Sequence, residues 1–178
     1  MAEAFSNKLT RAAGIVTTSS SGAVGIGTTI ITGISTVGVA VSDLIDNTNF
    51  IAGTKVSAIG ISTVYADRDS TNTAAASAQV FKFLGMTTAY TSTSTKSILI
   101  GGTFANNTES QVNLTVEVHD TSAGIQAAIA SKIPVPTGSS FVISDAGKTI
   151  LESSDEVRVF CDTANAIDVN LSILTGVS

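Results

Sequence analysis

Val112-Asn113-Leu114-Thr115-Val116-Glu117-Val118-His119 alternates aliphatic and polar residues without a break. Successive strand side chains point to opposite faces, so this text specifies a sheet with one face buried and the other wet. A helix would scatter the same valines around its axis. The alternation returns twice downstream. Val157, Val159 and Cys161 oppose Glu156 and Arg158, and Ile167, Val169, Leu171 and Ile173 oppose Asp168, Asn170 and Ser172. With the runs Ser97–Phe104, Gln126–Ile133, Ser140–Ser144 and Thr149–Leu151, the pattern predicts about seven strands in an antiparallel, Ig-like β-sandwich over residues 96–178. Pro134 and Pro136 each lack a backbone donor and belong at an edge or turn.

Upstream the text is also β, in shorter pieces. Thr28–Ile34, Val37–Val41, Lys55–Ile59 and Gln79–Leu84 are rich in residues that fit a pleated surface, with Gly or Asn between them. Gly-Ile-Ser-Thr-Val occurs at residues 33–37 and again at 60–64, which predicts two equivalent turn-to-strand units. Residues 15–85 are therefore expected to form a small β-barrel or roll domain. The threonine- and serine-rich residues 86–95 read as a linker. Residues 1–14 read as an N-terminal arm: Phe5, Leu9 and Ala12/Ala13 recur at helical spacing beside Lys8 and Arg11. A helix this short is marginal alone. The expectation is that it orders against a partner, with Phe5, Leu9 and Arg11 as the candidate anchoring residues. The predicted fold class is all-β throughout.

Composition narrows the chemistry. Charged residues make up 13% of the 178, the net charge is −5, and the nine Lys and Arg are scattered, so no basic surface for a phosphate backbone is expected. No apolar run approaches the roughly 18 residues of a membrane span, and the first residues lack a secretion pattern, so synthesis in a cytoplasm is expected. Neither nucleic acid nor membrane is an expected partner.

Metal and nucleophile chemistry draws on His and Cys, and the chain has one of each. His119 is predicted to be an exposed residue at a strand end, and Cys161 a small core residue. Asp67-Arg68-Asp69-Ser70-Thr71-Asn72 begins like a calcium loop. Asn72 then stands at the glycine position and Ala78 at the closing glutamate, so it reads as a polar turn. Gly22–Gly27 lacks the order of a nucleotide-binding loop and reads as a flexible turn. No cofactor and no enzymatic activity are expected.

Two segments carry a family resemblance. Val41–Ile59 resembles a "V-x-G-x-x-I-x-x-G-T-x-V-x-x-I" β unit of phage virion and fibre proteins. Residues 96–177 resemble a β-sandwich module of tailed-phage structural proteins, through Pro136-Thr137-Gly138-Ser139 and Leu151-Glu152-Ser153-Ser154-Asp155-Glu156-Val157, where Ser154 stands at a position usually held by glycine. The whole is similar to virion proteins of contractile-tailed cyanophages. The resemblance implies a capsid surface decoration protein made in the bacterial host cytoplasm and resident in the virion. It would contact the major capsid protein or neck and tail proteins and associate with itself, as a trimer by the habit of phage capsid proteins. A neck, tail or fibre accessory and a glycan-binding adhesin are the alternatives.

Overall fold

The computed structural model describes residues 3–144 and 148–177, and among them there is no helix. The chain divides into two units. One takes the chain up to Gly14 and resumes at Thr87; the other, Ile15–Met86, is inserted between those points.

The first unit is built from β1 (Ala4–Ala13), β8 (Thr87–Thr91), β9 (Lys96–Asn106), β10 (Val112–Asp120), β11 (Ile125–Val135), β12 (Ser140–Ile143), β13 (Thr149–Glu152), β14 (Glu156–Cys161) and β15 (Ile167–Thr175). One sheet runs β1-β15-β9-β12 with β13 also on β9, and the other β11-β10-β14-β8. All pairings are antiparallel. The alternating residues face inward as their period requires: Leu114, Val116, Val157 and Val159 from one sheet join Leu99, Phe104, Val169, Leu171 and Ile173 from the other in one buried cluster. Burial of such side chains is worth about 1.5–3 kcal/mol each, the dominant favourable term in this unit.

Two expectations are corrected here. The helical arm expected over residues 1–14 is, in its described part, a strand: β1 pairs with β15 from Ala4↔Thr175 to Ala13↔Ile167. Spacings of four fit a two-residue period as well as a helical one, and the free edge of β15 offers backbone partners that a marginal helix would forgo. Residues 86–95 are not simply a linker either. β8 pairs with β14, buries Ala89 and Tyr90, and sets the Tyr90 hydroxyl 3.1 Å from that of buried Ser97.

Gly14, between β1 and the inserted unit, has φ +122, and a Cβ there would meet the Thr163 carbonyl oxygen at 2.6 Å. No other residue fits such a position. Ser154, where the resemblance expects glycine, has φ +75, a left-handed conformation that glycine adopts freely.

The inserted unit is a six-stranded sheet. It comprises β2 (Ile15–Val24), β3 (Ile30–Thr32), β4 (Leu44–Asp46), β5 (Val56–Gly60), β6 (Thr63–Ala66) and β7 (Ala76–Gly85), in the order β4-β7-β2-β3-β6-β5. A Leu44–Lys55 bridge ties the strand at one end to the residue before the strand at the other. Phe50 and Phe81 meet edge-on at 6.4 Å over a core of Val24, Ile31, Val56 and Phe83.

The two Gly-Ile-Ser-Thr-Val copies are not equivalent. The second is the tight β5–β6 hairpin, turning at Ile61 and Ser62 with Ser62 at φ +50, whereas in the first Gly33 at φ +70 ends β3 and the chain leaves the sheet. Val37–Val41 is accordingly turn rather than strand. Gly22–Val24 belongs to β2, so only the end of the glycine-rich segment is a turn.

Candidate interaction face

The outer face of the β1-β15-β9 sheet is where the residues singled out in the first strand come together with others far along the chain. Phe5 lies opposite Leu174, Leu174 opposite Ile98, and Ile98 opposite Ile150, so four large apolar side chains form one row across four strands. Phe5 is 76% exposed and Ile150 63%. Two residues along β1 and β15, and three along β9 across its register shift, lie Asn7, Ser172 and Gly101; beyond them Leu9, Asn170, Thr103 and Val142 form a further row, with Leu9 and Val142 exposed.

From ladder and residue spacings these rows cover a patch about 20 Å on a side, roughly 400 Å². Within it the apolar side chains are the Phe5–Leu174–Ile98–Ile150 row and, across the polar Asn7–Ser172 row, Leu9 and Val142. The patch is about half of what one partner of a standard stable complex buries, near 800 Å².

Opposite charges stand near each other at two places on the margin of this face. Lys96 lies opposite Glu152 at one end. At the other, the Ala12 N–H donates to Asp168 Oδ1 at 2.8 Å. That hydrogen bond, then the Asn107 side chain and the Arg11 charge, holds the Asp168 carboxyl below its ordinary range. Arg11 thus serves the end of β1, while Phe5 and Leu9 are presented outward on a fixed strand. The spacing of Phe5 and Leu9 was visible in the sequence. Their neighbours Leu174, Ile98 and Ile150 were not, because only strand register brings them alongside.

Other candidate groups sit elsewhere. His119 is not exposed at a strand end: its side chain is 15% exposed, because β10 lies between β11 and β14, with Gln126 and Glu156 on either side. Its Nδ1 has no hydrogen-bond partner and lies 4.0 Å from Glu156 Oε2, which accepts from Arg158 Nε at 2.7 Å. The last hydrogen bond holds the carboxylate in a charge pair.

Cys161 is fully buried in the sandwich core. In the Asp67–Asn72 segment, Asp67 accepts the Lys55 N–H at 2.8 Å and the Ser70 hydroxyl donates to the Gly25 carbonyl at 3.0 Å, as in a structural turn. Among the described residues no three His, Cys, Asp or Glu side chains converge as metal ligands. A cavity of about 370 Å³ on the inserted unit is lined by Val24, Thr28, Ile30, Thr32, Ala76, Ser77 and small neighbours, none of which ionises in the neutral range. Comparison with protein-family models, with curated proteins and with solved structures finds no match.

Proposed function

We propose that this chain is a non-enzymatic structural protein of a bacteriophage particle, a capsid surface decoration protein that works by surface contact. The observation that carries the reading is the Phe5–Leu174–Ile98–Ile150 row, exposed at its two ends, Phe5 and Ile150, and half-buried between them. A protein rarely exposes such a stripe unless another surface covers it. The sequence resemblance of residues 41–59 and 96–177 supplies the phage assignment.

A patch of roughly 400 Å² binds weakly as an isolated contact, but many copies on a symmetric lattice gain effective concentration, which suits a protein arrayed on a capsid. The occupant of the patch is an apolar surface of another virion protein. The glycan-binding alternative lacks a platform: of the exposed large side chains among the described residues only Phe5 and Tyr65 are aromatic, and they belong to different units.

The test is quantitative mass spectrometry of purified particles. Copies in the hundreds support decoration. A small number set by a ring or fibre moves the protein to the neck or tail, and absence from particles overturns the reading.

A further inference from the structure

We infer that the Asp168 carboxylate is the positioning group of the interaction face: it holds a one-residue bulge in β1, and that bulge is what turns Phe5 and Leu9 outward. The inference rests on the reading of this face as the contact surface and adds the device that aims it.

Phe5, Leu9 and Ala13 are spaced by four, so in an unbroken strand they share one side of the sheet. Ala13 is fully buried in the sandwich core, opposite Ile167. An unbroken β1 would therefore turn Leu9 and Phe5 inward with it. The structure does the reverse. Ser6, Lys8 and Thr10 lie opposite the core residues Ile173, Leu171 and Val169, while Phe5 and Leu9 lie opposite Leu174 and Asn170 and are 76% and 73% exposed. β1 thus presents its polar side to the sandwich and its apolar side to solvent.

The change of side occurs at one place. Between Thr10↔Val169 and Ala13↔Ile167, the two residues Arg11 and Ala12 stand against the single residue Asp168, the count of a β-bulge. Ala12 has φ +53, a left-handed conformation that a residue with a Cβ adopts at a cost. Offsetting that cost, the Ala12 N–H donates to Asp168 Oδ1 at 2.8 Å, a hydrogen bond to a charged acceptor. The same bond, then the Asn107 side chain and the Arg11 charge, favours the ionised carboxylate.

Without that acceptor the ladder can close up by one residue, and a slip of one flips every side chain beyond it to the other side. Counted from Ala13, the closed ladder would set Ala12 against Asp168, Leu9 against Leu171 and Phe5 against Thr175. Ala12 is relieved, and both apolar side chains leave the outer face for the sandwich side. Lys8 comes outward beside Ser172 and puts a charge in the middle of the face. Arg11, brought inward, can lay its stem along the sheet and keep its guanidinium in water.

The test is disulfide trapping in the free, intact chain under mild oxidation, read by mass spectrometry. Residues directly opposite on one side of a ladder are close enough to bridge, and residues pointing to opposite sides are not. Cys161 is fully buried, so the introduced thiols are the ones that report. We expect Asn7→Cys/Ser172→Cys to bridge at least tenfold faster than Lys8→Cys/Ser172→Cys, and Asp168→Ala to remove or reverse that preference. Deleting Ala12 in the Asp168→Ala chain leaves no extra residue to accommodate and should restore it.

An Asp168→Ala chain that keeps the tenfold preference overturns the inference, and so does a deletion that fails to restore it. If Asp168→Ala does not fold, the deletion variant decides: recovery of the fold with the Asn7 preference supports the inference, and loss of either overturns it. Register is read without particles, so its outcome is separate from whether the face is covered in them, which particle incorporation of Phe5→Ser/Ile150→Ser measures.

Discussion

Replacing Phe5 and Ile150 together by serine separates binding from folding. Fully burying such side chains is worth about 2.5 kcal/mol each. Phe5 is 76% and Ile150 63% exposed, so the fold buries only about a quarter of one and a third of the other. The double variant should therefore lose about 1.5 kcal/mol of stability. A partner that covers the exposed remainder forfeits more, about 3.5 kcal/mol per copy, or roughly 300-fold in affinity. Urea unfolding reads the first quantity; competition between variant and native chains for assembling particles reads the second. Equal incorporation of a folded variant would refute the assignment of the row as the binding surface.

Three further outcomes follow from the same geometry. Deleting residues 1–13 removes β1 from its ladder with β15 and should cost several kcal/mol of stability, seen as a sharply lower urea midpoint; an unchanged midpoint would restore the detachable arm. The Asp168 carboxyl is held below its ordinary value of 3.8, so its contribution is present above that pH and lost as pH falls through the lowered value. Asp168→Asn should accordingly be less stable than the native chain at neutral pH and equal to it in strong acid, as unfolding at both pH values will show. Ser154 at φ +75 should tolerate glycine, with a gain of at most about 0.5 kcal/mol, and reject valine at a cost above about 1 kcal/mol, both measurable by thermal unfolding.

The sandwich was legible because its strands alternate. Val112–His119, Val157–Cys161 and Ile167–Ile173 declare both conformation and inward face locally, and each runs as a strand in the structure. The first strand was not legible. Ala4–Ala13 finds its partner more than 150 residues away in β15, and its four-residue spacings satisfy two periods at once, so no local reading decides between them.

β8 was hidden for a related reason: serine and threonine suit linkers and strands alike, and the neighbour that decides is β14. The repeated pentapeptide misled because identical text forms a hairpin turn at Ile61-Ser62 in one copy and leaves the sheet at Gly33 in the other. Of the interaction face, only Phe5 and Leu9 stood out beforehand. Register, which sequence spacing does not reveal, placed Leu174, Ile98 and Ile150 beside Phe5.

The central claim is that this sheet face is covered by another protein in an assembled particle. Hydroxyl-radical footprinting of the free chain and of intact particles measures that directly, side chain by side chain. Phe5, Leu9 and Ile150 should lose most of their reactivity on assembly while Val37 and Ile61, exposed on the inserted unit, keep theirs. Undiminished reactivity at Phe5 and Ile150 in particles that contain the chain would contradict the account.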